Sequence, residues 1–193
     1  MTPDKSARPA TPLSDRLNAG ELFITGKDGN RYKLRHIQLD DAPSLMRGYD
    51  ALSERGKWFR MLHAVPHLTD EMAEGFCSPD PETGICLVIE GHDSLAGEII
   101  GGARLAEMGP GARAEFSVST RPETRGLGLA RQALETVMAI GWERGCREIW
   151  GLISARNQPM LGLAERIGFD LRRDPDDATL IIAEIKPPPP TAE

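Results

Sequence analysis

Cysteine and aromatic residues are scarce in this chain, and that scarcity limits the kinds of protein it can be. Among its 193 residues there are three cysteines, and aromatic residues make up 5%. Cys77, Cys86 and Cys146 are odd in number and far apart, so they predict reduced thiols rather than a disulfide framework. We expect three small, buried hydrophobic side chains in a cytoplasmic protein.

An excess of positive charge and long apolar runs are also missing. The formal net charge is -6, which argues against nucleic-acid binding through a generally basic surface. An acidic surface would suit an amine-bearing partner instead. No apolar run approaches the roughly 18 residues of a membrane span, and the N-terminus lacks the apolar core of a signal peptide. We therefore expect no contact with a membrane.

The length favours one domain with its own hydrophobic core. Residues 1–19 and the proline-rich residues 187–193 have the composition of disordered or extended segments. The sequence therefore predicts a folded domain over residues 20–186 between two disordered ends.

Within this domain, apolar periodicity and turn residues predict strands first and a strand-helix alternation afterwards. The predicted strands are 21–25, 31–37, 84–91, 98–108, 112–120, 147–154, 169–174 and 178–186. The predicted helices begin at Asp40 or Asp41, at Ser53 and at Thr69, and two further helices cover 131–144 and 157–167. This order predicts an α/β fold, a mixed sheet with helices on both faces.

The glycine-rich stretch RGLGLA, residues 125–130, lies between a predicted strand and a long predicted helix. The first backbone N–H groups of a helix have no partner within the helix, and the helix dipole adds partial positive charge there. Gly126 and Gly128 have no side chain, so a pyrophosphate could approach the backbone closely. The stretch is typical of an anion-binding loop.

The loop lacks the third glycine of a dinucleotide fingerprint and the lysine of a P-loop. It does fit the pattern R/Q-x-x-G-x-G/A, with Arg125, Gly128 and Ala130, which resembles the acyl-CoA pyrophosphate loop of the GNAT acetyltransferase superfamily. The resemblance extends over residues 33–49, 121–145 and 157–169, and it is greatest to the bacterial Pat-type protein lysine acetyltransferases. It implies a GNAT-like, mostly antiparallel sheet and acetyl-CoA as cosubstrate.

The resemblance also implies the residues that hold acetyl-CoA. The backbone of the strand before the loop would bind the pantetheine at Val118, Ser119 and Thr120. The pyrophosphate would lie on the loop formed by Arg125, Gly126, Leu127, Gly128, Leu129 and Ala130. Arg131 and Arg121 are either phosphate ligands or solvated surface charges. Asn157 matches the asparagine on the cofactor side of the family, and it is also a plain helix cap.

Acetyl transfer to an amine requires that the amine lose a proton. A lysine with a pKa of ~10.4 is neutral in only about one molecule in 2,500 at pH 7, so a nearby carboxylate would help. Glu115 is the candidate base, because strand alternation places it opposite Ala114 and Phe116 and because the AEF string resembles the Pat-type catalytic segment. Its alternative is a solvent-facing strand glutamate. Lesser candidates on neighbouring strands are Glu90, Glu98 and Glu107.

Other expected chemical groups are missing from the sequence. Many GNAT enzymes protonate the departing thiolate with a tyrosine, and the matching residue here is Ala164, whereas the tyrosines Tyr32 and Tyr49 lie elsewhere. The general acid therefore has no candidate. Cys146 has no histidine partner in sequence and is a poor covalent nucleophile. His63 and His67 lack a third ligand, so no metal site is expected.

One apolar cluster allows two interpretations. Trp58, Phe59, Met61 and Leu62 lie on one predicted helix and are either part of the core or the lining of an acceptor cleft. Burial in the core is the favoured interpretation, because large apolar residues are more often there.

These features together predict an acetyl-CoA-dependent N-acetyltransferase that acts by direct attack of an amine, with Glu115 as general base. The favoured acceptor is a protein lysine, by resemblance to the Pat-type enzymes. One alternative is a small-molecule amine such as a polyamine or an aminoglycoside. A second alternative is a non-catalytic module that binds acyl-CoA and regulates a partner. Neither a nucleic acid nor a metal is among the expected ligands.

Overall fold

A computed structural model of the chain describes residues 11–20, 22–106 and 113–188. The helices are α1 (Leu13–Asn18), α2 (Ala42–Asp50), α3 (Glu54–Met61), α4 (Asp70–Cys77), α5 (Leu129–Glu143) and α6 (Gln158–Ile167). The strands are β1 (Phe23–Thr25), β2 (Arg31–His36), β3 (Ile85–Glu90), β4 (Ile99–Ala106), β5 (Arg113–Thr120), β6 (Glu148–Ser154), β7 (Asp170–Arg173) and β8 (Leu180–Ile185).

All eight of these strands form one sheet, in the order β1-β2-β3-β4-β5-β6-β8-β7. Every neighbouring pair is antiparallel except β5 and β6, which are parallel because α5 carries the chain back between them. The prediction of a mixed, mostly antiparallel sheet with helices is confirmed.

The parallel pair separates soon after it begins. β5 and β6 are in register only where Arg113, Ala114 and Glu115 face 148–150 of β6. β5 continues to pair with β4 as far as Thr120, and β6 continues to pair with β8 as far as Ser154, so the sheet divides between these two strands. A gap therefore opens in the sheet beside residues 116–120 of β5, and the backbone groups along that edge have no strand partner.

Two hydrophobic clusters hold helices against opposite faces of the sheet. α5 contributes Leu134 and Val137 to the larger cluster, in which Ala114 and Phe116 of β5 are also buried. α2 and α4 pack on the other face through the smaller cluster, which includes Tyr49 and Ala73. The side chains of one strand therefore alternate between the two clusters, as the pleat of a sheet requires.

The helix α1 lies in the segment that the sequence predicted to be disordered, so that prediction does not hold for Leu13–Asn18. Leu17 is buried in the larger cluster. The carboxylate of Glu143 accepts hydrogen bonds from the backbone N–H groups of Leu13 and Ser14, at 2.9 and 3.2 Å. This carboxylate stabilises the N-terminus of the helix. Residues 1–10 and 189–193, and with them most of both predicted disordered ends, lie outside the described residues.

The predicted helix caps are confirmed at three places and corrected at one. Ser53, Thr69 and Asn157 accept hydrogen bonds from backbone N–H groups in the first turns of α3, α4 and α6. Asp41 precedes α2 but does not cap it, because its carboxylate binds the guanidinium of Arg35. No helix in the described part of the chain is both long and apolar enough to span a membrane.

Candidate functional site

The gap between β5 and β6 opens into a cavity of about 290 Å³ on the face of the sheet that α2 and α3 cover. Its walls come from distant parts of the chain. They include Leu45 and Gly48 of α2, Phe59 and Arg60 of α3, Arg104 of β4, residues 115–121, and Asn157 and Met160 at the start of α6. The cavity is the place where a reacting pair of molecules could meet.

The glycine-rich loop lies between β5 and α5. Gly126 and Gly128 have φ angles of +84° and +79°, a left-handed conformation that glycine adopts without steric cost. Among the described residues, the N–H groups of Gly128, Leu129 and Ala130 donate to no backbone carbonyl, and the first bond of α5 runs from Gln132 to Gly128. The loop thus has the free donors and the helix dipole that an anion site needs.

The opening hairpin adds a cation to this loop that sequence reasoning missed. The N–H of Lys27 donates to the carbonyl of Leu127 at 3.0 Å. A Cβ placed on Gly128 would lie 3.8 Å from Cε of Lys27, so the lysine side chain runs along the loop. The side-chain amide of Gln132 fixes the hairpin by hydrogen bonds to both backbone groups of Thr25. Only the tertiary fold brings residue 27 to residue 128.

Glu115 lies on the cavity side of β5. Ala114 and Phe116 are buried in the core on the α5 side, whereas Glu115 is half-buried and lines the cavity, as the alternation predicted. Ser117 and Ser119 follow it on the same side. A carboxylate therefore lies at the point where the two strands separate.

Two of the competing carboxylates, Glu98 and Glu90, are in ion pairs with arginines. Glu98 accepts hydrogen bonds from Arg47, Ser44 and Arg121, and these donors lower its pKa to about 2. Such a group does not accept a proton at neutral pH. Glu90 is in an ion pair with Arg35. Glu107 lies outside the described residues.

The two arginines considered for phosphate binding are both in ion pairs. Arg121 turns its guanidinium towards Glu98 and the carbonyl of Ser44, which lies on α2 rather than in the loop. Arg131 is exposed and donates to Glu135 one turn further along α5, at 2.8 Å. Both arginines therefore form ion pairs with carboxylates of the same chain.

Asn157 serves as the N-cap of α6, where its side chain accepts from the N–H of Met160 at 3.3 Å, and it also lines the cavity. Ala164 is fully buried. The hydroxyl of Tyr32 donates to Asp28, and that of Tyr49 donates to the carbonyl of Val65. Neither tyrosine is among the described residues that line the cavity.

The thiols and imidazoles give no sign of other chemistry. Cys77 and Cys146 are buried, Cys86 is half-buried, and burial raises the pKa of each thiol, to about 11 for Cys77 and Cys86. His67 pairs with Asp50. The described residues contain no group of three or more histidine, cysteine or acidic side chains that could hold a metal ion.

Burial in the core was the favoured interpretation of the apolar residues around α3, and it is wrong for Trp58. Trp58 is 49% exposed and does not belong to the core. Phe59, Met61 and Leu62 line the cavity, in keeping with the cleft alternative. Trp58 lies instead in a surface recess that it shares with Phe59, Ser154 and Arg156.

Arg60 and Arg104 are two cavity residues that sequence reasoning did not single out. Arg60 donates a short hydrogen bond to the hydroxyl of Ser119. It reaches solvent through the cavity, and the protein around it lowers the pKa of its guanidinium. Arg104 lies opposite Ser117 in the β4–β5 register. Nothing in the local sequence distinguishes these arginines from those on the surface.

Comparison with known proteins agrees with this geometry. The sequence model of the family described as "Acetyltransferase (GNAT) domain" matches residues 31–170. The chain is 24% identical to acetyltransferase PA5475 of Pseudomonas aeruginosa over 164 residues, which cover 84% of this chain and 88% of that protein.

Solved structures share the fold. The GNAT domain of S. lividans PAT has a TM-score of 0.77 at 23% identity, over 86% of this chain and 96% of that one. RimL, a ribosomal L7/L12 alpha-N-protein acetyltransferase solved in complex with coenzyme A, has a TM-score of 0.64 at 15% identity, over 80% of this chain and 93% of that one.

Proposed function

Because the chain belongs to the GNAT family of acetyltransferases, we propose that it transfers the acetyl group of acetyl-CoA to the side-chain amine of a protein lysine. One observation carries the proposal. The sheet opens beside residues 116–120. Glu115 lies at the end of that opening where β5 and β6 are still paired, and the chain leaves the other end of β5 towards the glycine-rich loop. A thioester in the gap would therefore have a phosphate site on one side and a carboxylate on the other.

In this proposal the pantetheine of acetyl-CoA lies along the edge of β5 that β6 has left, at Val118, Ser119 and Thr120. The unpaired backbone groups there would replace the missing strand. The pyrophosphate would accept hydrogen bonds from the N–H groups of the loop 125–130, and the ammonium of Lys27 would add a charge. Asn157 would contact the cofactor from the start of α6, with its cap role retained.

The chemical step is direct attack of a neutral amine on the thioester carbonyl. Glu115 takes the proton of the amine, and the C–N bond forms as the C–S bond breaks. A backbone N–H near Val118 would stabilise the oxyanion that develops on the carbonyl. The departing CoA thiolate takes its proton from water, since no tyrosine hydroxyl of the described residues lines the cavity.

A protein acceptor is favoured by the resemblance to the Pat-type enzymes and by the surface beside the cavity. Trp58 is exposed there next to Phe59, which lines the cavity. Exposed tryptophan is a common anchor in protein interfaces. A small-molecule amine remains the second candidate, because a cavity of about 290 Å³ is near the lower end of small-molecule sites.

The test is transfer of label from radioactive acetyl-CoA in a cell lysate, with the wild-type protein and with Glu115→Gln. Label that enters protein bands with the wild type and not with the variant supports the proposal. Label found only in the small-molecule filtrate favours a metabolite amine. Absence of any transfer, with acetyl-CoA binding intact, would replace the enzyme by a regulatory acyl-CoA-binding module.

A further inference from the structure

Arg104 lies in the middle of β4, and it lines the cavity. In the register of the sheet it lies between Cys86 of β3 and Ser117 of β5. Among the described residues its Nε is buried and has no hydrogen-bond partner. A buried donor without an acceptor is costly, and native proteins rarely leave one.

Two other partly buried arginines, Arg35 and Arg121, are in ion pairs, although Nε of Arg121, like that of Arg104, is buried without a hydrogen-bond partner among the described residues. Arg35 binds Asp41 with two hydrogen bonds, and Arg121, in the wall of the same cavity, binds Glu98. Arg60 resembles Arg104 rather than these two arginines, because its one hydrogen bond within the described residues goes to the neutral hydroxyl of Ser119. Two guanidinium groups, those of Arg60 and Arg104, thus face one cavity.

The charges of the cavity lining do not balance. The lining contains three cations, Arg60, Arg104 and Arg121. Glu98 does not line the cavity but forms an ion pair with Arg121. Glu115 is the single described carboxylate in the lining. A lysine ammonium that entered alone would bring a further positive charge into a mostly apolar space whose lining already has the guanidinium groups of Arg60 and Arg104 beside one carboxylate.

We propose that the acceptor carries a carboxylate beside its amine, and that Arg104, assisted by Arg60, binds that carboxylate while the amine faces Glu115. The proposal rests on the acetyltransferase function argued above. Arg104 pairs in register with Ser117, two residues along the strand from Glu115, which is about 7 Å at the usual rise per residue. The two groups of one acceptor can therefore be held at once.

A carboxylate site at Arg104 would limit the acceptor to amines that have a carboxylate nearby. On a protein, the acetylated lysine has an aspartate or glutamate close to it in sequence or in space. As a free compound, the acceptor is an amino acid rather than a polyamine. A guanidinium binds a carboxylate through two parallel hydrogen bonds, so the preference should follow the carboxylate itself and not only its charge.

Matched pairs of acceptors test the proposal. The first pair is a blocked peptide with lysine between two glutamates and the same peptide with glutamines. The second pair is lysine and its decarboxylated form, 1,5-diaminopentane. We expect kcat/KM for the acid of at least one pair to exceed that of its partner by about 10- to 100-fold, mainly through KM.

The preference should disappear in Arg104→Gln and be partly kept in Arg104→Lys, which retains the charge without the second hydrogen bond. Arg173→Gln, a change at an exposed arginine of β7, is the matched control and should keep the preference. The dissociation constant for CoA should be the same in all four proteins. An unchanged constant also shows that the Arg104 variants are folded.

Each result either identifies the molecule that supplies the carboxylate or contradicts the proposal. Preference for the glutamate peptide identifies an acidic protein segment, and preference for lysine over the diamine identifies a free amino acid. Equal kcat/KM within both pairs overturns the inference and leaves the acetyltransferase function intact. An Arg104-dependent preference for succinyl-CoA over acetyl-CoA also overturns it, because the arginine would then serve the acyl donor.

Failure of the proposed function is distinguishable from these results. If no amine is acetylated although CoA binds, the acetyltransferase proposal fails. Calorimetric titration of the CoA-bound protein with the two peptides then tests whether Arg104 binds a carboxylate. Tighter binding of the glutamate peptide that is lost in Arg104→Gln supports the carboxylate site, and equal binding of both peptides removes it.

Discussion

Glu98 joins α2 to the residue that follows β5, and its ionisation should be measurable as a change in the free energy of unfolding. Its carboxylate accepts from Arg47 of α2 at 2.6 Å, from Ser44 at 2.9 Å and from Arg121, which follows β5. Hydrogen bonds from Arg47, Ser44 and Arg121, together with the charge of Arg121, lower its pKa from 4.5 to about 2. The charged form of Glu98 therefore stabilises the folded state.

The size of this effect follows from the two pKa values. A fall from 4.5 to about 2 corresponds to about 3 kcal/mol at ~1.36 kcal/mol per pKa unit. The Arg47 side chain is 57% exposed, so solvent screening reduces that figure. We expect Glu98→Gln to lower the free energy of unfolding at pH 7 by about 1–2 kcal/mol.

The sign of the pH dependence is fixed because the folded pKa is depressed. The stabilisation is complete above pH 4.5 and is lost as the pH falls towards 2. The difference between wild type and Glu98→Gln should therefore be constant from pH 7 to 5 and shrink below that. Urea unfolding at several pH values from 7 to 3 measures it, with the exposed Glu123→Gln as control. A difference that stays the same at pH 3 would show that the ionisation of Glu98 is not its cause.

Three further predictions concern turnover and cofactor affinity. Glu115→Gln should lower kcat/KM by about 10²- to 10⁴-fold with CoA affinity unchanged, and unchanged turnover would remove Glu115 from the mechanism. Gly128→Glu should abolish CoA binding in calorimetry, because its side chain would fill the phosphate site and strain a φ of +79°; full affinity would rule out the loop. Lys27→Ala should weaken CoA binding about 3- to 10-fold, whereas Lys33→Ala in the same hairpin should not, and equal effects would refute a direct contact.

Features encoded over short stretches of sequence could be predicted. Alternation located β5 and the cavity side of Glu115, and the glycines located the loop before α5. Capping residues located the starts of α3, α4 and α6, since a cap needs a partner only three residues away. Each of these depends on neighbours in the chain, so a single sequence is enough to find it.

Features that depend on distant contacts were missed. Arg104 acquires its place from the pairing of β4 with β5, and Lys27 meets Gly128 only because the hairpin packs on α5. The helix α1 depends on Glu143, far along the chain. Trp58 was expected in the core on its residue type alone, although it is 49% exposed and lies in a recess formed with residues far along the chain. No local pattern carries that information.

Most of the cavity wall comes from two separate stretches of the chain, to which the start of α6 adds Asn157 and Met160. This has a consequence for how the protein can change. The gap, the loop and Glu115 all belong to the continuous unit β5-α5-β6, residues 113–154. The opposite wall comes from α2, α3 and the strands that follow α4. In the proposed function, replacement of residues on that wall would alter which amine is accepted without disturbing the loop, so acceptor choice and acetyl-CoA use could evolve independently.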